Sequence, residues 1–279
     1  WTHKGQDQGG KREPRQRPAR PVAETRRSKD VVRARAGVWR DGQFLGGPAG
    51  RWPGSTVVVA ASGPSLDQAQ VDYCRGRAKL IVVNATFKLA PWADVVYAAD
   101  FRFWDVYGPK IFGHVTSELW SVSEMARQKY GTYWIRHATS AGFSNEPDTI
   151  NGGGNSGYQA VHLAATFGAT RIALIGFDMQ RTGGKEHWHG KHEGRLPNGV
   201  GFPRWIKAFQ PLAMDLRKMG IDVANCTPTT ALRCFRRSTL EEFLGVATSY
   251  EASEARSVPQ GLAVGRVPRE SRVLEVELP

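Results

Sequence analysis

Four short runs constrain this chain more than any other feature: Val57-Val58-Val59-Ala60-Ala61, Lys79-Leu80-Ile81-Val82-Val83, Val95-Val96-Tyr97-Ala98-Ala99 and Arg171-Ile172-Ala173-Leu174-Ile175. None alternates between apolar and polar residues. A strand with one wet face alternates, whereas a strand apolar on both sides has to be covered on both. Helical patterns lie between the runs. Residues 66–74 suit a helix, and Tyr158, Val161, His162 and Ala165 recur at helical spacing within 156–167, with Gly168 as the stop. Residues 203–219 form a long amphipathic pattern with Pro203 in its first turn and Gly220 at its end. Further strands are expected at 132–135 and 221–224, and Trp120-Ser121-Val122 is ambiguous. Together these predict a doubly wound, mostly parallel, Rossmann-like α/β sheet with helices on both faces.

Length and charge divide the chain. Its 279 residues, 41% of them hydrophobic, suffice for one ordinary domain with appendages. Lys and Arg number 38 against 26 Asp and Glu, giving a net charge of +12. Lys4, Lys11, Arg12, Arg15, Arg17, Arg20, Arg26, Arg27, Lys29, Arg33, Arg35 and Arg40 crowd the start, among few large apolar side chains. Residues 1–50 therefore read as a disordered basic arm, suited either to contact with DNA or another polyanion or to solubilising the chain. Residues 51–246 are the folded domain and 247–279 a tail. Cys74, Cys226 and Cys234 form neither a disulfide framework nor a cysteine zinc site, which suggests a reducing cytoplasm, the host's if the chain is viral. No apolar run approaches the roughly 20 residues that span a bilayer, and the basic start lacks the apolar core of a secretory signal.

In such a sheet, ligands sit beyond the carboxyl ends of the strands. After the first run come Ser62, Gly63, Pro64 and Ser65. The glycine permits a tight turn, and Ser65 is expected to cap a helix from Leu66, aiming free N–H groups at a phosphate. The plain alternative is a well-capped turn. Asn84 follows the second run with an amide for a phosphate, hydroxyl or base, and Asp100 follows the third with a carboxylate for a sugar hydroxyl, a metal or a helix cap. Gly154, Asn155, Ser156 and Gly157 open the 156–167 helix, where glycines let amides crowd an anion. Asp178 follows the fourth run, and Asn225 and Thr227 follow the 221–224 strand. Cys226 between them reads as a buried thiol more readily than as a nucleophile. Residues 185–194, KEHWHGKHEG, hold His187, His189 and His192. A general acid/base histidine on an active-site loop, a zinc site and an incidental polar loop are all open. The spacing matches no standard helical metal motif, so no metal ligand is assigned.

The order of Gly63-Pro64-Ser65-Leu66, Asn84, the segment from Ser156 to Asp178, a loop histidine and Asn225-Cys226-Thr227-Pro228 resembles a Rossmann-like superfamily over about residues 57–235. It includes bacterial sialyltransferases that use CMP-linked sialic acid and related glycosyltransferase-like flagellar-accessory and phage proteins. Hydroxymethylpterin pyrophosphokinase-like proteins share a similar turn. The resemblance implies a nucleotide-sugar glycosyltransferase. Ser62, Gly63, Pro64, Ser65 and Asn84 would meet the nucleotide, with Gly157 and Asp178 nearby, and His187 or His189 would be the base. Ser62 stands where the sialyltransferases carry Asn, and their phosphate-binding tyrosine pair is missing, Tyr158 being the substitute at hand. The nucleotide sugar is a co-substrate, and no other cofactor is firmly implied. The pyrophosphokinase alternative calls for ATP and magnesium held by Asp100 and Asp178. The remaining alternative is a nucleotide-binding phage assembly factor without catalysis.

Overall fold

The computed structural model describes residues 38–40, 43–45, 48–194, 196 and 201–245. Most of the expected basic arm and all of the tail from 247 lie outside them. Within the arm, β1 (Val38–Arg40) and β2 (Gln43–Leu45) pair antiparallel.

The four apolar runs are strands. They are β3 (Thr56–Ala60), β4 (Lys79–Val83), β5 (Val95–Tyr97) and β10 (Arg171–Ile175). With β6 (Glu118–Ser121), β7 (Tyr133–Trp134), β11 (Asp222–Asn225) and β12 (Arg236–Arg237) they form an eight-stranded sheet in the order β12-β11-β10-β3-β4-β5-β6-β7. Every pairing in it is parallel. The expectation of a doubly wound α/β fold is met. Besides β1 and β2, three strands had no counterpart in the sequence pattern: β12, a charged pair, and β8 (Arg136–Ala138) and β9 (Thr149–Asn151), which form a small parallel pair.

The missing alternation has a direct cause. Val57, Val59, Ile81, Val83, Ile172 and Leu174 enter one core layer, and Val58, Ala60, Leu80, Val82, Ala173 and Ile175 enter the other. Each larger side chain so buried contributes roughly 1.5–3 kcal/mol. The first layer is roofed by α4 (Ser156–Thr166) and α5 (Phe202–Lys218), the second by α1 (Gln68–Tyr73), α2 (Phe101–Ile111), α3 (Glu124–Tyr130) and α6 (Leu240–Gly245). Two of the large polar aromatics inside are paired: the Tyr97 hydroxyl donates to Gln159 Oε1 at 2.8 Å and Trp104 Nε1 to the Ala98 carbonyl at 3.1 Å. The predicted helix stops hold as well, with Gly168 at φ 98° and Gly220 at φ 75°.

Sequence order runs outward from β3 through β4 to β7, then returns to β10 on the other side of β3. The topological switch point therefore lies between the carboxyl ends of β3 and β10, where such folds bind ligands.

Candidate functional site

The turn after β3 does not do what its sequence suggests. The helix starts at Gln68, not Leu66, and its cap is Asp67, whose carboxylate accepts from Gln70 N at 2.8 Å while Gln70 Oε1 accepts from Asp67 N at 3.2 Å. A reciprocal capping box with an acidic cap leaves this helix end no use for a phosphate. Ser65 is not the cap. Its amide and hydroxyl donate to the two oxygens of Asp178 at 3.0 and 2.9 Å. The Gly63 amide donates to the Gly176 carbonyl at 2.8 Å, and that of Leu66 to the Gly63 carbonyl at 3.1 Å. Pro64 has no N–H. The expected cradle of turn amides is thus corrected: the donors from Gly63 to Leu66 are turned into the protein.

Those bonds make the turn a clasp between β3 and β10. Asp178 is fully buried, and Thr182 Oγ1 also donates to it at 3.0 Å. Burial pushes its pKa up, and the hydrogen bonds from Ser65 and Thr182 offset part of that shift. Gly63 is required by close approach, since a Cβ there would lie 2.0 Å from Asp178 Oδ2 and 2.4 Å from the Gly176 carbonyl. The Ser62 hydroxyl also faces inward, 3.2 Å from the Val83 carbonyl and 3.1 Å from Thr86 Oγ1.

Asn225 and Thr227 are likewise interior. Both are fully buried. Asn225 Nδ2 donates to Thr230 Oγ1 and the Leu232 carbonyl, each at 3.2 Å, and Thr227 Oγ1 accepts from Phe177 N at 2.8 Å. They brace the loop after β10 and do not line its open side. The Cys226 thiol between them is buried and pushed up to about 12, as a structural cysteine should be. Tyr158 is no substitute for a phosphate-binding tyrosine. It is fully buried, and its hydroxyl donates to the Gly142 carbonyl at 2.8 Å.

Other groups at the carboxyl edge stay open. Asn84, partly exposed, ends β4 at φ 52°. Left-handed backbone on a residue other than glycine is a local cost that often marks function. Only Met179, next to Asp178, shares it among the described residues. Asp100, three residues past β5 and just before α2, is exposed and makes no side-chain cap to that helix. The start of α4 lies beside it: the Ala99 amide donates to Ser156 Oγ at 3.4 Å. A Cβ at Gly157 would lie 3.1 Å from the Phe177 ring, so the glycine lets this helix end sit close to the loop after β10. Asn155 caps α4 by accepting from Tyr158 N at 2.9 Å, and Gly153 and Gly154 take the preceding turn at φ 57° and 79°. The Ser156 and Gly157 amides precede the helix's own bonding pattern, so this 11-residue helix points its positive end at the sheet edge. Asp178, spent on Ser65 and Thr182, is not available beside Asp100 as the expected magnesium pair.

The histidine loop docks on the other side of the turn. The Trp188 amide donates to the Ser62 carbonyl at 3.1 Å, and its indole N–H to Thr86 Oγ1 at 3.3 Å. The Thr86 hydroxyl in turn donates to the Ala61 carbonyl at 3.0 Å. Thr86 and Trp188 were not singled out from the sequence. The one available signal is a lone large aromatic in the polar stretch KEHWHGKHEG. His187 and His189 thus come to the carboxyl edge, and His192 joins them.

A second hollow, about 300 Å³, lies between α5 and the starts of β11 and β12, lined by Arg217, Asp222, Cys234 and Arg236. It is at the amino end of the sheet, and its Arg236 is held by Asp222, so it is not the candidate site.

The fold and site define a doubly wound α/β protein with an open polar edge at its switch point. No known family model matches the chain, and no curated protein matches it. Among solved structures it is similar to the sialyltransferase CstII from Campylobacter jejuni in complex with a substrate analogue, cytidine-5'-monophosphate. The two are 16% identical, with a TM-score of 0.43, over 66% of this chain and 84% of that one. A likeness of this degree says nothing about substrate. No helix among the described residues is long and apolar enough to cross a membrane.

Proposed function

We propose that this chain is a nucleotide-dependent transferase of the nucleotide-sugar glycosyltransferase type. One observation carries the reading: Asn84, Asp100 and the amide-rich start of α4 stay open at neighbouring strand ends, while the groups around them are locked inward. The donor phosphate rests on Gly154–Gly157, where free amides and the helix dipole favour an anion. Asn84 faces the base or sugar, and Asp100 a sugar hydroxyl. The Gly63-Pro64 turn, without a free N–H, is a close-packing surface for the nucleoside, held in place by Asp178. Fixed donors at the α4 start stabilise the charge that builds on the leaving phosphate. His187 or His189 takes the proton of the acceptor hydroxyl.

A thermal-shift panel of CMP, CDP, UDP, GDP, ADP and ATP, each with and without magnesium, tests this. A ligand at a hundredfold excess over its Kd adds roughly 3 kcal/mol of stability. Stabilisation by CMP or UDP is expected. Stabilisation by magnesium-ATP alone indicates phosphotransfer instead, and no shift from any nucleotide overturns the reading.

A further inference from the structure

We infer that His187, His189 and His192 together form a binding site for one divalent ion of the zinc class, with a coordination position left open. The sequence reading assigned no metal, because the spacing fits no helical motif. The fold supplies the convergence that spacing alone does not. The ring centres are 5.2 Å apart for His187 and His189, 4.7 Å for His187 and His192, and 4.9 Å for His189 and His192. One nitrogen from each ring lies within 4.8 Å of the other two. Zinc held at 2.0–2.1 Å in tetrahedral geometry needs its nitrogens about 3.3 Å apart. Side-chain rotation within a loop containing Gly183, Gly184, Gly190 and Gly194, all at positive φ, covers the difference.

A second observation points to a ligand. His189 Nε2 is out of reach of water and has no hydrogen-bond partner. A buried ring nitrogen left so is costly, and a metal ion is one partner that would satisfy it.

The surroundings select the ion. Glu193 is paired with Lys88 and Lys110, and Glu186 with Arg181, so neither carboxylate of the described loop is free to complete the set. Cys74 and Cys226 are buried in the domain's second layer, and no cysteine joins the three histidines among the described residues. Three imidazoles and no oxygen donor suit zinc, nickel, cobalt or copper and not magnesium, which requires oxygen ligands. Three protein ligands also leave a position for water or an acceptor hydroxyl, the pattern of catalytic and not structural zinc. Trp188, docked on Ser62 and Thr86, holds this cluster against the turn at the switch point. The ion binds whether or not a nucleotide does, so the inference does not depend on the transferase reading. With the ion bound, His187 and His189 have no free lone pair, and the loop-base role given them above belongs to the metal-free chain.

The test uses the full untagged chain, stripped with a chelator and loaded with zinc or, separately, with cobalt. Bound metal is measured by elemental analysis after gel filtration, and the cobalt form by its visible spectrum. One zinc per chain, no retained magnesium and a tetrahedral nitrogen-ligated cobalt spectrum are expected. His189→Ala should weaken binding at least about a hundredfold, since even losing an outer partner of a ligand costs 10- to 100-fold. The triple His187→Ala, His189→Ala, His192→Ala should retain none, with its far-ultraviolet circular dichroism unchanged. Unaltered zinc binding in the triple variant, a thiolate-to-cobalt charge-transfer band, or failure of the wild type to retain zinc each overturns the inference. The nucleotide panel fails or succeeds separately.

Discussion

The carboxylate of Asp178 takes both the amide and the hydroxyl of Ser65, at 3.0 and 2.9 Å, across the gap between β10 and β3. The residues are 113 positions apart in the chain and meet where the sheet reverses its winding. Asp178→Ala strands three donors, the Ser65 amide, the Ser65 hydroxyl and the Thr182 hydroxyl. Each stranded buried donor costs about 1–3 kcal/mol, and partial rescue by water brings the expected total to about 3 kcal/mol. Asp178→Asn keeps the shape and an acceptor oxygen and removes the desolvation that raises the acid's pKa. It should lose only about 1 kcal/mol. Urea denaturation of both variants at neutral pH checks the ranking, and equal losses would remove the clasp.

Gly63→Ala attacks the same clasp from the other strand. The new methyl would meet Asp178 Oδ2 at 2.0 Å and the Gly176 carbonyl at 2.4 Å, and the latter is backbone that cannot rotate away. Overpacking of this kind costs about 1–3 kcal/mol, and displacing the turn should abolish nucleotide binding as well. Gly76→Ala is the control, because φ 74° there strains an alanine but nothing lies within 4 Å. It should cost only about 1–2 kcal/mol and leave binding intact. Similar binding losses in both variants would mean that the crowding at Gly63 is irrelevant.

Asn84 offers a separation of fold from binding. Its φ of 52° suits glycine without strain. Asn84→Gly should therefore keep the stability within about 0.5 kcal/mol while removing the amide, whereas Asn84→Ala should lose about 1–2 kcal/mol through backbone strain. Both should lose affinity for the nucleotide that stabilises the wild type. If Asn84→Gly binds that nucleotide as the wild type does, the amide does not touch it.

The fold was legible because burial on both faces writes itself into consecutive residues: Val57 to Ala60 are apolar one after another since alternate side chains enter different layers. The strands that were missed have no such signature. β12 is two exposed arginines at the sheet's edge, held by pairing with β11 and by Arg236 on Asp222. At the candidate site, the sequence named loops at the carboxyl edge and misread which way their donors face. Ser65 has the chemistry of a helix cap, and so does Asp67; two residues decide whether the turn's amides face a ligand or a buried carboxylate. Only the long-range approach of Asp178 decides between them. Trp188 and the gathering of three histidines depend in the same way on the loop finding Thr86, a contact 102 residues away in sequence.

His162 provides a pH response that belongs to the fold and not to the site. It is fully buried in α4 with Phe143 stacked on its ring. Nε2 accepts from the Ser144 amide at 2.8 Å, and the Thr166 hydroxyl is already donated to the His162 carbonyl at 3.0 Å. Nδ1, 3.3 Å from that hydroxyl, is therefore the nitrogen that carries the proton. The ring is neutral with a fixed tautomer, and a second proton on Nε2 would break the bond to Ser144. Burial lowers its pKa from 6.5 to about 4. Between those values the unfolded chain binds the proton and the folded chain does not, so stability rises with pH across the window and is lost as pH falls through it. The full loss is about 3 kcal/mol, at 1.36 kcal/mol per unit. His162→Gln retains an acceptor for Ser144 and cannot titrate. Between pH 7 and about pH 4.5, the wild type should lose about 2–3 kcal/mol more than this variant in urea denaturation, since titrations common to both cancel in the difference. Equal losses would mean that His162 takes up its proton in the folded chain as readily as in the unfolded one, and that the bond from Ser144 does not fix its charge.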